Sequence, residues 1–299
     1  MASIITYQQC PSCNSTHISP KLKAKDYTVS NTLFEVWECA DCTLRFTQNI
    51  PDEENIGQYY QSTSYVSHSD TQEGLINKLY HRVRKITLNQ KRDLVTDAAK
   101  TANGTLLDVG SGTGAFANTM QEAGWKVTGL EPDSTARKVA LDKFGLALDS
   151  PEELFSLLPD TFNVITMWHV LEHVHNLHGY LDKYHSILKA DGKLIIAVPN
   201  YTSNDAATYG EHWAAYDVPR HLYHFSPASM KHLAELKGFK IDSYQPMWFD
   251  SFYVSMLSEQ YKTGKSGLIK AVFNGLLSNI KATSDNKLCS SVIYIMSKK

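Results

Sequence analysis

LLDVGSGTGAFA, residues 106–117, reads as a buried strand ending in Asp108, a loop with glycine at alternate positions, and the start of a helix. Gly110, Gly112 and Gly114 let the backbone turn sharply and come close to a ligand, and a helix start offers N–H groups without intrahelical partners. A tight turn with no ligand would use the same residues, so the loop has to be weighed with its surroundings. Outward from it, the short apolar runs TLLDV (105–109), KVTGL (126–130), FNVITMW (162–168) and KLIIAV (193–198) alternate with helix-length stretches, the last ending in the turn KADG. That alternation predicts a parallel sheet covered by helices on both faces. A further helix is expected from Ser226, with Pro227 at its first position, to about Gly238, followed by strands at about 239–244 and at SVIYIM (291–296).

The second strand ends in GLEPD, which places Glu131 twenty-three residues after Asp108, an offset at which a carboxylate suits the two hydroxyls of a ribose. The spacing G-x-G-x-G differs from the G-x-G-x-x-G of a dinucleotide site. It resembles the first motif of class I S-adenosylmethionine-dependent methyltransferases, and GLEPD resembles their ribose-binding second motif. FNVITMWHVLEHV and LKADGKLIIAVPN are similar to the fourth and sixth motifs of that superfamily, so the resemblance covers roughly residues 100–245. It implies an α/β, Rossmann-like, seven-stranded and mostly parallel sheet sandwiched by helices, with S-adenosylmethionine as methyl donor. It also implies that Gly110, Ser111, Gly112, Thr113 and Gly114 border the donor, and that Asp108 orders the loop and reaches the donor's amino group. Glu131 would hold the ribose, Pro132 and Asp133 would lie near the adenine, Trp168 would face the donor, and Asp149 could meet the adenine amine.

Methyl transfer from a sulfonium is an in-line displacement, so alignment and exclusion of water matter most and a base is needed only if the acceptor loses a proton. His169, Glu172 and His173 stand at i, i+3 and i+4, one face of a helical turn after the fourth strand. For Glu172 and His173 the first reading is capping or packing; for His169, catalysis and packing both stay open. The three with a lid histidine are also a candidate divalent-metal set, similar to that of some RNA-end methyltransferases, which carry Glu where this chain has His169. The long connection after Pro199, about 199–226, is expected to close over the acceptor. Trp213, Tyr216, Arg220, His221, Tyr223 and His224 would line that pocket, with His221 or His224 as general base; a packed surface excursion is the alternative. The fourth strand ends in TMWH, without the N/D-P-P-Y/F pattern for exocyclic amines, and no cysteine lies between Cys42 and Cys289 to attack a pyrimidine.

Cys10, Cys13, Cys39 and Cys42 form two C-x-x-C pairs, four thiolates for a closed, structural tetrahedral zinc site. A redox dithiol is the alternative, although neither pair has a thioredoxin-like context. Residues 1–50 therefore read as a zinc ribbon, with short strands around Tyr27, Val29, Phe34, Val36 and Trp37. Similar modules occur in sugar C-methyltransferases and in a ribosomal-RNA guanine methyltransferase family. Residues 51–100 read as a connector and one or two helices, and residues 101–299 as the methyltransferase domain. With 29 basic against 31 acidic residues and a formal net charge of -2, nucleic acid is not the default partner. No export signal and no membrane span is expected, which points to the cytoplasm. The leading expectation is a small-molecule acceptor (metabolite, saccharide or lipid-like) methylated on O or C. The alternatives are an RNA methyltransferase, gripping RNA through Lys21, Lys23, Lys25, His81, Arg82, Arg84 and Lys85, and a non-catalytic donor-binding scaffold. Residues 268–277 are expected to pack in the core, with a dimer or membrane-surface helix as the other uses, and Cys289 to be a buried residue of the last strand.

Overall fold

The computed structural model describes residues 3–61, 75–265 and 267–299. The N-terminal part consists of β1 (Ile4–Ile5), β2 (Ile18–Lys25), β3 (Leu33–Cys39), β4 (Arg45–Thr47) and β5 (Ile50–Pro51). Strands β2, β3 and β4 pair antiparallel, and β1 pairs with β5. Phe34, Val36 and Trp37 lie in β3 as expected, but Tyr27 and Val29 fall in the turn before it. The cause is Asp26, whose carboxylate accepts the backbone N–H groups of Thr28, Val29 and Ser30 and so folds the chain back on itself.

A single helix, α1 (Leu75–Ala99), leads into the main sheet. Connector residues 62–74 and the side chains of His81 and Arg82 lie outside the described residues. The elements then run β6 (Thr105–Val109), α2 (Ala115–Glu122), β7 (Lys126–Leu130), α3 (Ser134–Phe144), β8 (Phe162–Trp168), α4 (Leu177–Ile187) and β9 (Leu188–Pro199). After these come α5 (Asn204–Tyr209), β10 (Tyr223–His224), α6 (Pro227–Leu236), β11 (Phe239–Pro246), α7 (Asp250–Thr263), α8 (Leu268–Ala282) and β12 (Ser291–Lys298). The sheet order is β11-β12-β9-β8-β6-β7; β7, β6, β8 and β9 are parallel, and β12 and β11 antiparallel. Residues 146–149 (LALD) take the seventh place only as one parallel bridge, Asp149 to Leu130. The KADG turn is an excursion inside β9, since Phe162 pairs with Leu188 and Val164 with Lys193.

Helices on both faces explain why the parallel strands read as continuous apolar runs. Leu107, Ile165 and Ile196 pack into one core cluster, and Leu106, Val164 and Ile195 into the other. Ser226 caps α6 in a capping box with Ser229. Helix α8 turns small residues such as Ala271 and Ala282 inward and leaves Ile269, Val272, Phe273, Leu276 and Ile280 exposed, so its large apolar residues do not fill the core as the sequence suggested. Cys289 is buried just before β12. No helix among the described residues is long and apolar enough to cross a membrane.

Two features place the site. The parallel strands β6, β7 and β8 end together where the loops to the following helices converge, the usual crevice of such sheets. Strand β10, inside the segment expected to be a lid, joins the N-terminal sheet instead of the main one, pairing Tyr223 with Phe46 and His224 with Arg45.

Candidate active site and cysteine cluster

All three loop glycines have left-handed backbones, with φ of 73°, 54° and 77° at Gly110, Gly112 and Gly114. They differ in what surrounds them. A Cβ on Gly110 would run into Val170, and one on Gly114 would sit 2.9 Å from the Ala140 Cβ, whereas nothing lies within 4 Å of the Cβ position at Gly112. Gly110 and Gly114 are closely packed; Gly112 opens toward free space. Gly114 precedes α2 without any side-chain cap, which leaves that helix start free to face an anion or a polar ligand.

Glu131, buried at the end of β7, accepts the Gly112 N–H at 2.7 Å and the Asp133 N–H at 2.9 Å. Asp133 itself caps α3 by accepting from Thr135, and the Pro132 carbonyl accepts from Arg137. Asp108 is buried under the loop, where it accepts from the Thr166 hydroxyl at 2.8 Å, and its carbonyl accepts from the Ser111 hydroxyl. Burial pushes its pKa up to about 6, against the hydrogen bonds from Thr166 and Ser111 and the nearby Lys91. Thr113 is half-buried in the same loop. The Trp168 ring meets Phe116 edge-on at 5.4 Å, and its indole N–H is buried with no hydrogen-bond partner among the described residues. Above that ring, at 4.3 Å, lies the Lys91 ammonium, whose pKa burial lowers while Asp250 and Asp108 oppose the shift. Lys91 was not among the residues picked out from the sequence. Its signal was a lysine in the apolar stripe of α1, between Leu88 and Val95.

Beyond Trp168, His169 adopts φ 58° and directs Nε2 to Asp250 at 2.8 Å and Nδ1 to Glu172 at 3.4 Å. Burial disfavours its charged form, yet the two carboxylates outweigh that and hold its pKa up at about 10. Asp250 lies 81 residues away at the start of α7 and carried no sequence signal. Glu172 is fully buried, and neither carboxylate oxygen has a hydrogen bond among the described residues. His173 places Nδ1 3.0 Å from the Arg220 carbonyl and 3.0 Å from the Tyr60 hydroxyl. His221 places Nδ1 2.8 Å from the Ala215 carbonyl, and its ring meets that of His173 edge-on at 4.6 Å. One ligating atom each from Glu172, His173 and His221 lies within 4.8 Å of the others.

The other lid residues face elsewhere. Trp213 donates to Asp205, Tyr216 accepts from Arg45, and Tyr223 donates to the His175 carbonyl. His224 contacts the Thr47 hydroxyl with Nε2, and burial pushes its pKa well below the usual range. Arg220 reaches Asp217, Asp26, Thr28 and the Tyr59 carbonyl. These side chains join the lid to the N-terminal sheet, and His221 is the lid histidine brought to Glu172 and His173.

Cys10 and Cys42 sulfurs lie 3.5 Å apart, those of Cys13 and Cys39 3.6 Å apart, and all four fall within 4.8 Å of one another. A tetrahedral ion with metal–sulfur bonds of about 2.3 Å needs sulfur–sulfur edges near 3.8 Å. The two C-x-x-C turns match: Asn14 donates to the Cys10 carbonyl and Thr43 to the Cys39 carbonyl, both residues being left-handed. The cluster is consistent with a zinc-binding module.

A methyltransferase-domain family profile matches residues 80–244, more than half of the chain. The chain belongs to this methyltransferase family. It is an S-adenosylmethionine-dependent methyltransferase, which sets aside the non-catalytic scaffold, and the loop with an open face at Gly112 beside Glu131 fits that donor. The ubiquinone biosynthesis O-methyltransferase of Nitrosococcus oceani is 29% identical over 208 residues, 65% of this chain and 84% of that protein. That of Photobacterium profundum is 34% identical over 131 residues, 41% of this chain and 54% of that protein. Tropheryma whipplei demethylmenaquinone methyltransferase is 28% identical over 141 residues, 45% of this chain and 59% of that protein. Magnesium protoporphyrin IX methyltransferase from Synechocystis PCC 6803 is alike in fold alone, with a TM-score of 0.53, 14% identity, 83% of this chain covered and all of that one.

Proposed function

We propose that this methyltransferase acts on an oxygen or carbon nucleophile of a small molecule, a metabolite, saccharide or lipid-like compound. The observation that carries this reading is the buried group of Glu172, His173 and His221 just past Trp168, which offers proton-accepting atoms where an O–H or C–H acid would meet the methyl group. His221 is the best placed of the three histidines considered as bases, since His169 is tied to Asp250 and His224 to Thr47. The named activities of the quinone-pathway relatives agree with such an acceptor. An RNA acceptor is less favoured, because Lys21 pairs with Glu38 and Lys23 with Glu35, which neutralises two of the three lysines of the ribbon's basic track. Labelled S-adenosylmethionine should pass its methyl to members of a panel of phenols, hydroquinones and saccharides and not to total RNA; label in RNA alone would overturn the proposal.

Bound S-adenosylmethionine supplies an electrophilic methyl group on sulfonium. In our reading Gly112 and the α2 start border its methionine part, Glu131 takes the ribose hydroxyls, Trp168 forms one wall, and Lys91 faces the donor's carboxylate. Asp108 would pair with the amino group, which requires it ionised. Affinity for S-adenosylmethionine should therefore be flat above neutral pH and weaken as pH falls through about 6, approaching tenfold per unit as Asp108 gains its proton. Lys91 and Glu131 also face it; burial lowers the pKa of the first and raises that of the second. Calorimetry from pH 8 to 5 checks this, and an affinity unchanged at pH 5 would remove Asp108 from the donor site.

For the cysteines we propose zinc in a closed shell, structural because no coordination position is left for water. Cys39→Ser should release that ion and lower hydrogen-exchange protection in β2, β3 and β4 by at least about 100-fold, since such modules fold only with metal. Unchanged protection and metal content would argue for a metal-free cluster.

A further inference from the structure

We propose that Glu172, His173 and His221 bind a second divalent transition-metal ion, zinc the expected occupant, on the acceptor side of the transferred methyl group. The first argument is the carboxylate. Glu172 has no exposed surface; among the described residues one oxygen has only the long 3.4 Å contact with His169, and the other has no hydrogen-bond partner. The charged His169 ring is shared between Glu172 and Asp250, so it offsets one of two buried charges, and the carboxylate left over costs several kcal/mol unless a further cation compensates it.

The second argument is the orientation of the two imidazoles. A backbone carbonyl can only accept, so the Arg220 carbonyl fixes the proton of His173 on Nδ1, and the Ala215 carbonyl fixes that of His221 on Nδ1. Each ring is left with an Nε2 lone pair that has no hydrogen-bond partner among the described residues. For His221 that nitrogen has Asp217 only at 3.9 Å, beyond hydrogen-bond reach. Imidazoles held by a carbonyl through one nitrogen and free at the other are the usual form of metal-ligating histidines. The ligands come from two segments, clamped together by the Leu222 N–H on the Glu172 carbonyl at 2.7 Å. His169, part of the set considered from sequence, is not a ligand here, because its Nε2 is held by Asp250 and its Nδ1 turns to Glu172.

Two nitrogens and one carboxylate leave coordination positions open, as in catalytic and not structural sites. The metal site stands on this geometry; its part in catalysis rests on the small-molecule reading above. With the ion bound, the lone pairs of His173 and His221 are its ligands, and the ion takes over their part in favouring proton loss: an acceptor hydroxyl on it would give up its proton to water, and the oxygen lone pair would form the new C–O bond as the methyl–sulfur bond breaks. S-adenosylhomocysteine leaves as a neutral thioether.

The test reads metal content, independently of any acceptor. Wild type should hold two zinc ions per chain by mass spectrometry, and Glu172→Gln and His221→Ala one each, the cysteine-bound ion remaining. With the second ion stripped, Mn2+, a poor partner for thiolates, should bind once per chain by electron paramagnetic resonance, at least about 100-fold more weakly in both variants. Glu172→Gln keeps the side chain's shape, so it decides the matter even where His221→Ala disturbs the lid. One zinc per chain in wild type, or Mn2+ binding equal in wild type and Glu172→Gln, overturns the site. A second ion with methyl transfer only to RNA would leave the site standing and sink the acceptor reading alone.

Discussion

Glu131→Ala is expected to weaken S-adenosylmethionine and S-adenosylhomocysteine binding by at least about 100-fold, near 2.7 kcal/mol, with little loss of folding stability. The carboxylate sits at the end of β7 and is already aligned by the Gly112 and Asp133 N–H groups, so it needs no reorganisation to receive a ribose. Hydrogen bonds to a charged acceptor contribute about 1.5–3 kcal/mol each, and two ribose hydroxyls would make two of them. Truncation also releases the Gly112 N–H and with it the open face of the loop. The cost to folding should be small because burial raises the Glu131 pKa: the free protein already holds this charge against a desolvation penalty. Calorimetric titration of both ligands, beside a thermal melt, reads both quantities. An unchanged Kd would remove Glu131 from the ribose; a collapsed melt would make it a folding residue.

What the sequence made legible was local and periodic. The four parallel strands of the main sheet, the glycine loop, the cap at Ser226 and the two cysteine knuckles depend on residues close in the chain, and they fold nearly where their patterns put them. What stayed hidden came from pairing across distance. Asp250 meets His169 only because α7 packs beside the end of β8, and Lys91 reaches Trp168 only because α1 crosses the same crevice. Asp133, in the GLEPD motif, also caps α3, a use that a carboxylate just before a helix makes whatever lies beyond it. The segment after Pro199 reads as dense in aromatic and polar side chains, yet composition cannot say which way a side chain faces. Most of those rings and Arg220 turn toward the N-terminal sheet and leave His221 beside Glu172 and His173.

The same arrangement makes Arg220→Ala the most damaging single change expected, at about 3–5 kcal/mol of folding stability. Arg220 is buried, with Nε and Nη2 on the two Asp217 oxygens at 3.0 and 2.6 Å, Nη2 also on Asp26 and Thr28, and Nη1 on the Tyr59 carbonyl. Asp26 is fully buried and Asp217 partly so, and truncation would leave both without their cation. Lysine should not rescue, since a single ammonium cannot grip Asp217 through two bonds while reaching Asp26. The loss should also propagate along the lid: Asp217 holds a left-handed turn at φ 36°, His221 follows four residues later, and β10 pairs with β4 just beyond. If the N-terminal module exists to hold the lid, Arg220→Ala should lower methyl transfer by at least about 100-fold. S-adenosylmethionine affinity should change by less than about threefold, the donor loop lying on other elements. Denaturant unfolding and donor titration on one preparation separate the cases. Stability within about 1 kcal/mol of wild type would show that the joint does not hold the lid. Equal losses of donor binding and turnover would mean that the module supports the whole fold and not the acceptor side in particular.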